Sequence, residues 1–205
     1  MQDLLVFDIE TIPQGVLTPT QIKIVNEKSE KSEYWQTNPI KEMSLNPWFG
    51  RIISIGVGFP LKDQYECLTL EDEKELLTKF WTILANWRGT FLSYNGLGFD
   101  VPFINVRSMV HKVLPTSQDF LNTRRYQAHP HFDVAQHICD WDPRLRVSLE
   151  VVCDGLGITS PKEGDVKASS VYENYLIGNL DEISTYCVKD LVATYEVYKR
   201  IKDYR

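Results

Sequence analysis

The stretch LLVFDIET, residues Leu4 to Thr11, decides how the rest of the chain is interpreted. Four apolar residues in a row are typical of a β-strand that is buried on both faces. Alternate side chains of a strand share a face, so we expect Asp8 and Glu10 to point the same way, about 7 Å apart. Two carboxylates at the end of a buried strand repel each other and lose hydration unless a cation compensates. A divalent cation with oxygen ligands is the simplest compensation, and a solvated acidic turn before Pro13 is the alternative.

The size and composition of the chain describe a globular protein with an apolar core. Its 205 residues fit one domain spanning 1–205, with an inserted flap-like segment at about 13–50. No apolar run approaches the ~20 residues of a membrane span, and the first residues lack the features of a signal peptide. We therefore expect a cytoplasmic protein with no membrane partner. The four cysteines form no CxxC pair and are expected to be reduced thiols.

The net charge of −6 argues against a protein that coats nucleic acid non-specifically, since such a protein would be basic. It does not argue against an enzyme that gathers acidic side chains around cations. Bound divalent cations would reverse the charge at one place, and the local potential governs how a substrate approaches. Composition alone therefore leaves the function open.

Periodic patterns along the chain predict the remaining elements. Alternating and β-branched stretches predict further strands at 51–59, 65–68, 90–94 and 131–135. The spacing of apolar residues predicts helices at 69–87, 101–111, 148–158, 169–178 and 180–202, with Thr69 as the N-cap of the first. Three strands in a meander, followed by alternating strands and helices, predict an α/β fold in which helices cover both faces of a mixed five-stranded sheet.

The polar segment at about 13–50 interrupts this alternation. Thr18 and Pro19 suit the start of a helix that reaches towards Trp35. The stretch NEKSEKSEYW is a run of charges, which favours a solvated flap. A lid that covers a substrate is the alternative, because a connection this long inside a compact domain is often functional.

Two later stretches carry polar residues that matter for function. Asn95, Phe99 and Asp100 lie in a glycine-containing turn that leads into a helix. Tyr186 and Asp190 are spaced i, i+4 on the last helix, so they share a face. Taken singly, Asp100 also suits the N-cap of its helix, and Asp190 also suits a solvated position.

Four carboxylates thus follow separate predicted elements that can meet at one edge of the sheet: Asp8, Glu10, Asp100 and Asp190. They have no basic partners nearby in the sequence, which makes them implausible as a structural core. They fit the ligands of two Mg²⁺ or Mn²⁺ ions, which prefer carboxylate and water oxygens.

The segments FDIET, YNGLGFD and YCVKD match, in order and spacing, the three motifs of the DEDD-type 3′–5′ exonucleases. The tyrosine four residues before the last aspartate corresponds to the DEDDy form. The second and third motifs are most similar to those of the exonuclease domain of family-B DNA polymerases. The chain also resembles stand-alone bacterial and phage proteins described as predicted 3′–5′ exonucleases related to that domain, and the resemblance covers nearly all of it.

The resemblance implies a ribonuclease-H-like fold and a two-metal hydrolysis of phosphodiester bonds at the 3′ end of single-stranded DNA, which releases nucleoside monophosphates. Matching positions imply metal ligands at Asp8, Glu10, Asp100 and Asp190, water orientation by Tyr186, contacts with the terminal nucleotide by Thr11 and Ile12, and contacts with the penultimate nucleotide by Asn95 and Phe99. A 3′–5′ exoribonuclease and a non-catalytic nucleic-acid-binding module on the same fold are the alternatives.

The resemblance also suggests a role in proofreading or DNA repair. Because the sequence stops soon after the third motif, we expect no polymerase domain. The enzyme would then act alone or be recruited by a polymerase or a repair protein.

Basic residues outside the motifs are candidates for phosphate contacts, with solvated surface positions as the alternative: Arg124, Arg125, Lys162 and Lys167. A second set has the side chains of a zinc site: His129, His131, His137 and Cys139. Its spacing matches no structural zinc motif, and its members belong to different predicted elements, so the sequence does not favour zinc.

Overall fold

The fold is a mixed five-stranded sheet with helices on both faces, as the sequence predicts. The computed structural model describes residues 3–160 and 171–204. The sheet has the order β3-β2-β1-β4-β5, and its strands are β1 (Leu4–Pro13), β2 (Gly50–Phe59), β3 (Gln64–Thr69), β4 (Thr90–Ser93) and β5 (His131–Asp133). Strand β2 runs antiparallel to β1 and β3, whereas β4 is parallel to both β1 and β5. The predicted meander is therefore confirmed, and parallel strands follow it.

The helices are α1 (Pro19–Lys31), α2 (Glu33–Thr37), α3 (Pro39–Ser44), α4 (Glu73–Leu84), α5 (Asp100–His111), α6 (Val134–Ile138), α7 (Leu149–Leu156), α8 (Val171–Leu176) and α9 (Leu180–Ile201). Among the described helices, none is long and apolar enough to cross a membrane.

Strand β1 is central because its two faces pack against different helices. Leu5, Phe7 and Ile9 lie in one apolar cluster together with side chains of α4 and α5. Val6 lies in a second cluster with side chains of α7 and α9. By the alternation of a strand, Asp8 and Glu10 share the face of Val6 and so lie on the side of α9.

Three predicted boundaries are wrong for local reasons. Helix α4 begins after Asp72, whose carboxylate accepts hydrogen bonds from the backbone of Lys74 and Glu75, whereas Thr69 is the last residue of β3. The same helix ends at Leu84, before the predicted end. Strand β5 stops at Asp133 because this side chain caps α6. In the first and the third case a short acidic side chain accepts from the free backbone N–H groups at the start of a helix.

The segment before β2 is helical and anchored to the sheet. Thr18 caps α1 in a capping box with Gln21, as expected, but α1 ends before Trp35. Trp35 lies in α2, where it is the buried residue and packs on Phe49 with ring centroids 5.9 Å apart. The hydroxyl of Thr11 donates to the carbonyl of Ser44 at 2.8 Å, which ties α3 to β1.

A buried ion pair joins this segment to the helices on the opposite side. Arg107 and Glu73 are both 4% exposed, and their closest nitrogen and oxygen atoms are 2.6 Å apart. Arg107 also donates to the carbonyl of Pro47 at 3.1 Å and to the side chain of Gln14 at 3.3 Å. Glu73 accepts from the backbone N–H of Ile52 at 2.7 Å. Every charged group of this network therefore has partners.

Candidate active site

Two acidic side chains stand on β1 next to an irregularity of the sheet. Asp8 is half-buried and Glu10 is only 8% exposed. The pairing of β1 with β2 shifts register between Glu10 and Thr11, which is where a bulge changes the course of a strand. No described residue donates a hydrogen bond to the carboxylate of Glu10, although it is buried.

The second acidic segment is bonded directly to the first. Asp100 is 3% exposed, and its Oδ1 accepts a hydrogen bond from the backbone N–H of Ile9 at 3.0 Å. It is the first residue of α5, while Phe99 occupies the N-cap position. The simple N-cap interpretation of Asp100 is therefore wrong, since its carboxylate reaches across to β1. This bond fixes two segments that are 91 residues apart in the sequence.

The third segment lies on α9, which crosses β1, β2 and β3. Tyr186 and Asp190 lie on the same face, and the phenol of Tyr186 donates a hydrogen bond to the carboxylate of Asp190. Tyr186 is buried, whereas Asp190 is half-buried. Asp190 is thus not a fully solvated residue of the middle of a helix.

Cys187 joins the acidic group, and the sequence analysis did not anticipate it. Its Sγ lies 4.0 Å from Oδ2 of Asp8, and ligand atoms of Asp8, Glu10 and Cys187 all lie within 4.8 Å of one another. The hydrogen bond with Cys67 and burial raise the pKa of Cys187, so the thiol stays protonated beside the carboxylates. The sulfur fits here because Gly56 has no Cβ, which would lie only 2.6 Å from it.

Burial and mutual repulsion dominate the electrostatics of the site. Burial, followed by the charges of Asp100 and Asp190, raises the pKa of Asp8 well above its ordinary value. Burial, followed by Asp190, likewise raises the pKa of Glu10. Burial raises the pKa of Asp100 from 3.8 to about 7. Burial and the same carboxylates raise the pKa of Tyr186, so its phenol remains a hydrogen-bond donor.

No compensating base lies on Asp8, Glu10 or Asp100 within the described ranges 3–160 and 171–204. Lysine and arginine side chains there form no salt bridge with Asp8, Glu10 or Asp100. Buried carboxylates with neither a base nor a full set of donors suit hard divalent cations, which carboxylate oxygens bind well. The donor set thus fits Mg²⁺ or Mn²⁺.

The acids open into a cleft with a volume of about 870 Å³. Its floor contains the predicted catalytic residues Asp8, Glu10, Asp100, Tyr186 and Asp190. Helix α3 and its neighbours form one wall with Asn38, Ile40, Lys41 and Leu45, and α8 forms another with Tyr172, Glu173 and Leu176. The 13–50 segment therefore lines the cleft. The sequence alone did not decide whether this segment is a solvated flap or a lid that covers a substrate.

Three of the four predicted substrate contacts line the same cleft: Thr11, Asn95 and Phe99. Ile12 does not. Its side chain is 1% exposed and packs with Ile53, Val171 and Ile183, because the strand carries it under α8 and α9. The predicted contact of the Ile12 side chain with a nucleotide is inconsistent with this placement.

The turn that carries Asn95 is held by a residue that the motifs did not reveal. Asp133 is fully buried, and its two carboxylate oxygens accept from the backbone N–H groups of Asn95 at 2.8 Å and Leu97 at 3.0 Å. Asn95 has a left-handed backbone (φ 65°), and its Oδ1 accepts from Arg146 at 2.7 Å. The sequence does show that Asp133 directly precedes a short helix. It does not show that this side chain bonds to the distant backbone of Asn95 and Leu97.

The remaining candidates do not form a second site among the described residues. The zinc set is dispersed, since His131 is bonded to the carbonyl of Phe120 and His137 to that of Asp133. Among the described residues, the side chains that lie close enough together to share a metal ion are those of Asp8, Glu10 and Cys187. Arg124 and Arg125 are exposed. Lys162 and Lys167 lie outside the described residues.

The fold is similar to part of a solved DNA polymerase. It superposes on the family B DNA polymerase from the hyperthermophilic archaeon Pyrobaculum calidifontis with a TM-score of 0.68 and 15% sequence identity. The match covers 100% of this chain and 25% of the polymerase chain, so this chain spans about a quarter of that protein. At this identity the likeness shows the fold, which is the α/β, ribonuclease-H-like class.

The sequence itself gives the family. A family described as predicted 3′–5′ exonucleases related to the exonuclease domain of PolB matches residues 45–205. The chain belongs to this family, and the resemblance seen in the motifs is confirmed. The matched residues include the second and third acidic segments, whereas β1 and most of the helical insertion precede them. No curated protein matches the sequence.

Proposed function

We propose that the protein is a metal-dependent 3′–5′ exonuclease that hydrolyses the terminal phosphodiester bond of single-stranded DNA and releases nucleoside monophosphates. The observation that carries the proposal is the meeting of acids from β1, α5 and α9 in one cleft, where no lysine or arginine among the described residues forms a salt bridge with Asp8, Glu10 or Asp100. Acids in such an arrangement repel a phosphodiester unless cations lie between them. Membership of an exonuclease family points to the same class of enzyme.

In this proposal Asp8, Glu10, Asp100 and Asp190 hold two Mg²⁺ or Mn²⁺ ions. Bound there, the ions would supply charge neutralisation and a lowered pKa for bound water. The protein contributes the fixed placement of the ligands. The bond from Ile9 to Asp100 locks two of the ligand-bearing segments together, so little reorganisation is needed when charge develops.

Tyr186 positions the attacking water. Its phenol is buried, is bonded to Asp190 and keeps its proton because its pKa is raised. An oriented hydroxyl at this place holds a water by a hydrogen bond without itself becoming a nucleophile. Phosphoryl transfer requires mainly positioning and neutralisation of charge, so a tyrosine of this kind suffices.

The walls of the cleft hold the end of the strand. Thr11 lies beside Glu10, where it meets the terminal nucleotide, while Asn95 and Phe99 meet the penultimate one. Lys41 on α3 is exposed in the opposite wall and offers a positive charge to the backbone phosphates. The 13–50 segment then acts as a wall of the substrate cleft.

Digestion of 5′-labelled oligonucleotides tests the proposal. Single-stranded DNA should shorten progressively from its 3′ end with Mg²⁺ or Mn²⁺ and remain intact with EDTA. Tyr186→Phe should lose less activity than Asp190→Asn, because it disturbs the water and leaves the ligands. RNA of the same sequence is the companion substrate, and faster trimming of RNA would make the enzyme an exoribonuclease. Binding without any cleavage under all metal conditions would make it a non-catalytic module.

A further inference from the structure

Two aromatic side chains, the exposed Tyr126 and the partly buried Trp141, pack together outside the cleft. Tyr126 is 74% exposed, and its ring lies 5.1 Å from that of Trp141. Both residues have a left-handed backbone, with φ of 63° each, and Asp140 beside them has φ of 53°. Non-glycine residues seldom adopt this conformation, and such outliers concentrate at functional positions.

The pair is backed by a column of rings that reaches the core. The ring of Trp141 lies 6.1 Å from that of His137, which stacks on Phe132 at 4.0 Å with an interplanar angle of 9°. Phe132 in turn contacts Tyr198 of α9 at 5.0 Å. The exposed ring of Tyr126 and the partly buried ring of Trp141 therefore rest on a rigid support, and little ordering is needed before a flat ligand stacks on them.

Arginines flank both aromatic residues. Arg124 and Arg125 directly precede Tyr126 and are exposed. Arg144 and Arg146 follow Trp141 within five residues and are also exposed. The guanidinium of Arg144 forms an ion pair with Asp142 at 2.6 Å, whereas that of Arg146 donates to Asn95, so Arg146 is the arginine on this side that faces the cleft. Positive side chains interleaved with stackable rings are the arrangement by which proteins bind single-stranded nucleic acids without sequence preference.

The patch is attached to the rim of the cleft. Arg146 donates to Asn95, which lines the cleft, and the phenol of Tyr94 donates to the carbonyl of Val147 at 2.7 Å. One 3₁₀ turn, Pro143–Leu145, separates Arg146 from the Trp141 side, and a turn of this kind spans about 6 Å. That is close to the spacing of successive nucleotides in an extended strand.

We propose that Tyr126, Trp141 and the arginines around them form an upstream track for single-stranded DNA. The strand leaves the cleft past Asn95, a phosphate meets Arg146, and the bases further towards the 5′ end stack on Trp141 and Tyr126. The track rests on the proposed function for its direction, because the 3′ end is placed at the acids. It makes binding depend on strand length and leaves the hydrolysis of very short substrates unaffected.

The test compares a long and a minimal substrate in matched variants. The variants are Tyr126→Ala and the double change Arg124→Ser with Arg125→Ser. The control is Tyr204→Ala, which removes a tyrosine that is 81% exposed and lies far along the chain in the last turn. The affinity for a 12-residue oligothymidylate is measured by anisotropy in an Asp8→Asn background. Hydrolysis of the p-nitrophenyl ester of thymidine 5′-monophosphate is measured with Asp8 intact. This substrate is too short to reach the track, so its rate of hydrolysis depends on the acidic site alone.

Tyr126→Ala should weaken binding of the 12-mer about tenfold, the scale of one lost base–aromatic stack. The double arginine change should also reduce the slope of log affinity against log salt by about 1.4 for its two charges. The control and the minimal substrate should change less than twofold. Equal affinity of Tyr126→Ala and the parent for the 12-mer would overturn the track, as would an equal loss on the minimal substrate.

The two proposals fail separately. If the parent protein hydrolyses neither substrate yet binds the 12-mer in a manner that depends on Tyr126, the nuclease proposal fails and the track stands. If it hydrolyses both substrates and the variants bind like the parent, the track fails and the nuclease stands.

Discussion

Two buried glutamates of this protein have opposite surroundings. Glu73, 4% exposed, accepts from Arg107 and from the backbone of Ile52. Glu10, 8% exposed, has no such partner among the described residues. A paired buried carboxylate supports the fold when it is present, because removing its partner leaves a charge that water cannot reach. An unpaired one costs stability, and the fold retains it where a cation is to bind.

The largest effect is expected in the acidic cluster that contains Glu10, at its neighbour Asp8. Asp8→Asn should lower exonuclease activity by about 10³-fold or more, the upper scale for removing a single electrostatic group at a transition state. The melting temperature in EDTA should stay the same or rise, since one of several repelling charges is gone. Single-turnover digestion and calorimetry measure the two quantities. A variant that digests DNA like the parent would remove Asp8 from the site.

The paired group should behave in the opposite way. Arg107→Met leaves the buried Glu73 with only the ring of His111, 2.7 Å from its Oε2, as a basic neighbour, and should cost up to about 3–5 kcal/mol of unfolding free energy, measured in urea. The double variant Glu73→Leu with Arg107→Met should recover part of that loss, because no buried charge is left. If Arg107→Met proved as stable as the parent, the contrast between the two glutamates would be lost.

A smaller loss is expected beneath α9. A Cβ at Gly56 would lie 2.6 Å from Sγ of Cys187 and 3.0 Å from Cδ1 of Leu191. Gly56→Ala should therefore push α9 off the sheet, cost about 1–3 kcal/mol and lower activity by displacing Tyr186 and Asp190. Gly155→Ala is the control, since its Cβ meets nothing within 4 Å and an alanine suits the helix. Equal stability of the two variants would show that α9 is free to adjust.

The smallest effect is a pH dependence of the metal-free protein. The folded protein holds the proton of Asp100 up to about pH 7, whereas the ordinary pKa is 3.8. Between these values the folded state binds more protons than the unfolded one, so stability falls as the pH rises. The melting temperature in EDTA should drop between pH 5 and 7 by roughly 2–4 °C for each kcal/mol lost.

Two additions sharpen this measurement. Asp100→Asn should flatten the slope, since it keeps an acceptor for Ile9 but no longer titrates. Mg²⁺ should raise the melting temperature more at pH 8 than at pH 5, because protons compete with the cation for the carboxylates. A melting temperature that rises with pH in EDTA would contradict the raised pKa of Asp100.

The sequence predicted the elements whose cause is local. The apolar run before Asp8 predicted a buried strand, and the i, i+4 spacing predicted that Tyr186 and Asp190 share a face; both are found. Asp133 and Arg107 were not found, because the partners that matter lie 34 to 93 residues away and no periodicity marks such contacts. Their roles come from tertiary packing.

The prediction for Ile12 failed for the same reason, because its surroundings are set by helices that are distant in the sequence. Its position just past the first motif implied, through the family resemblance, a contact with the terminal nucleotide. Helices α8 and α9 cover that end of the strand, and Ile12 is packed beneath them. Which part of a face is open depends on where a distant helix lies, and the pattern within one strand does not contain that information.

The contacts of Arg107 also bear on how the region before β2 tolerates change in length. One guanidinium nitrogen reaches Gln14 at 3.3 Å and Pro47 at 3.1 Å, and Gln14 bonds again to Phe49 at 2.8 Å. Points of the backbone more than thirty residues apart are therefore neighbours in space. An insertion between them adds little beyond the closure entropy of a loop, which grows slowly with its length, whereas an excision also removes the contacts of Trp35 and Ser44. Related proteins could thus exchange this wall for a longer or shorter one while the strands stay in register.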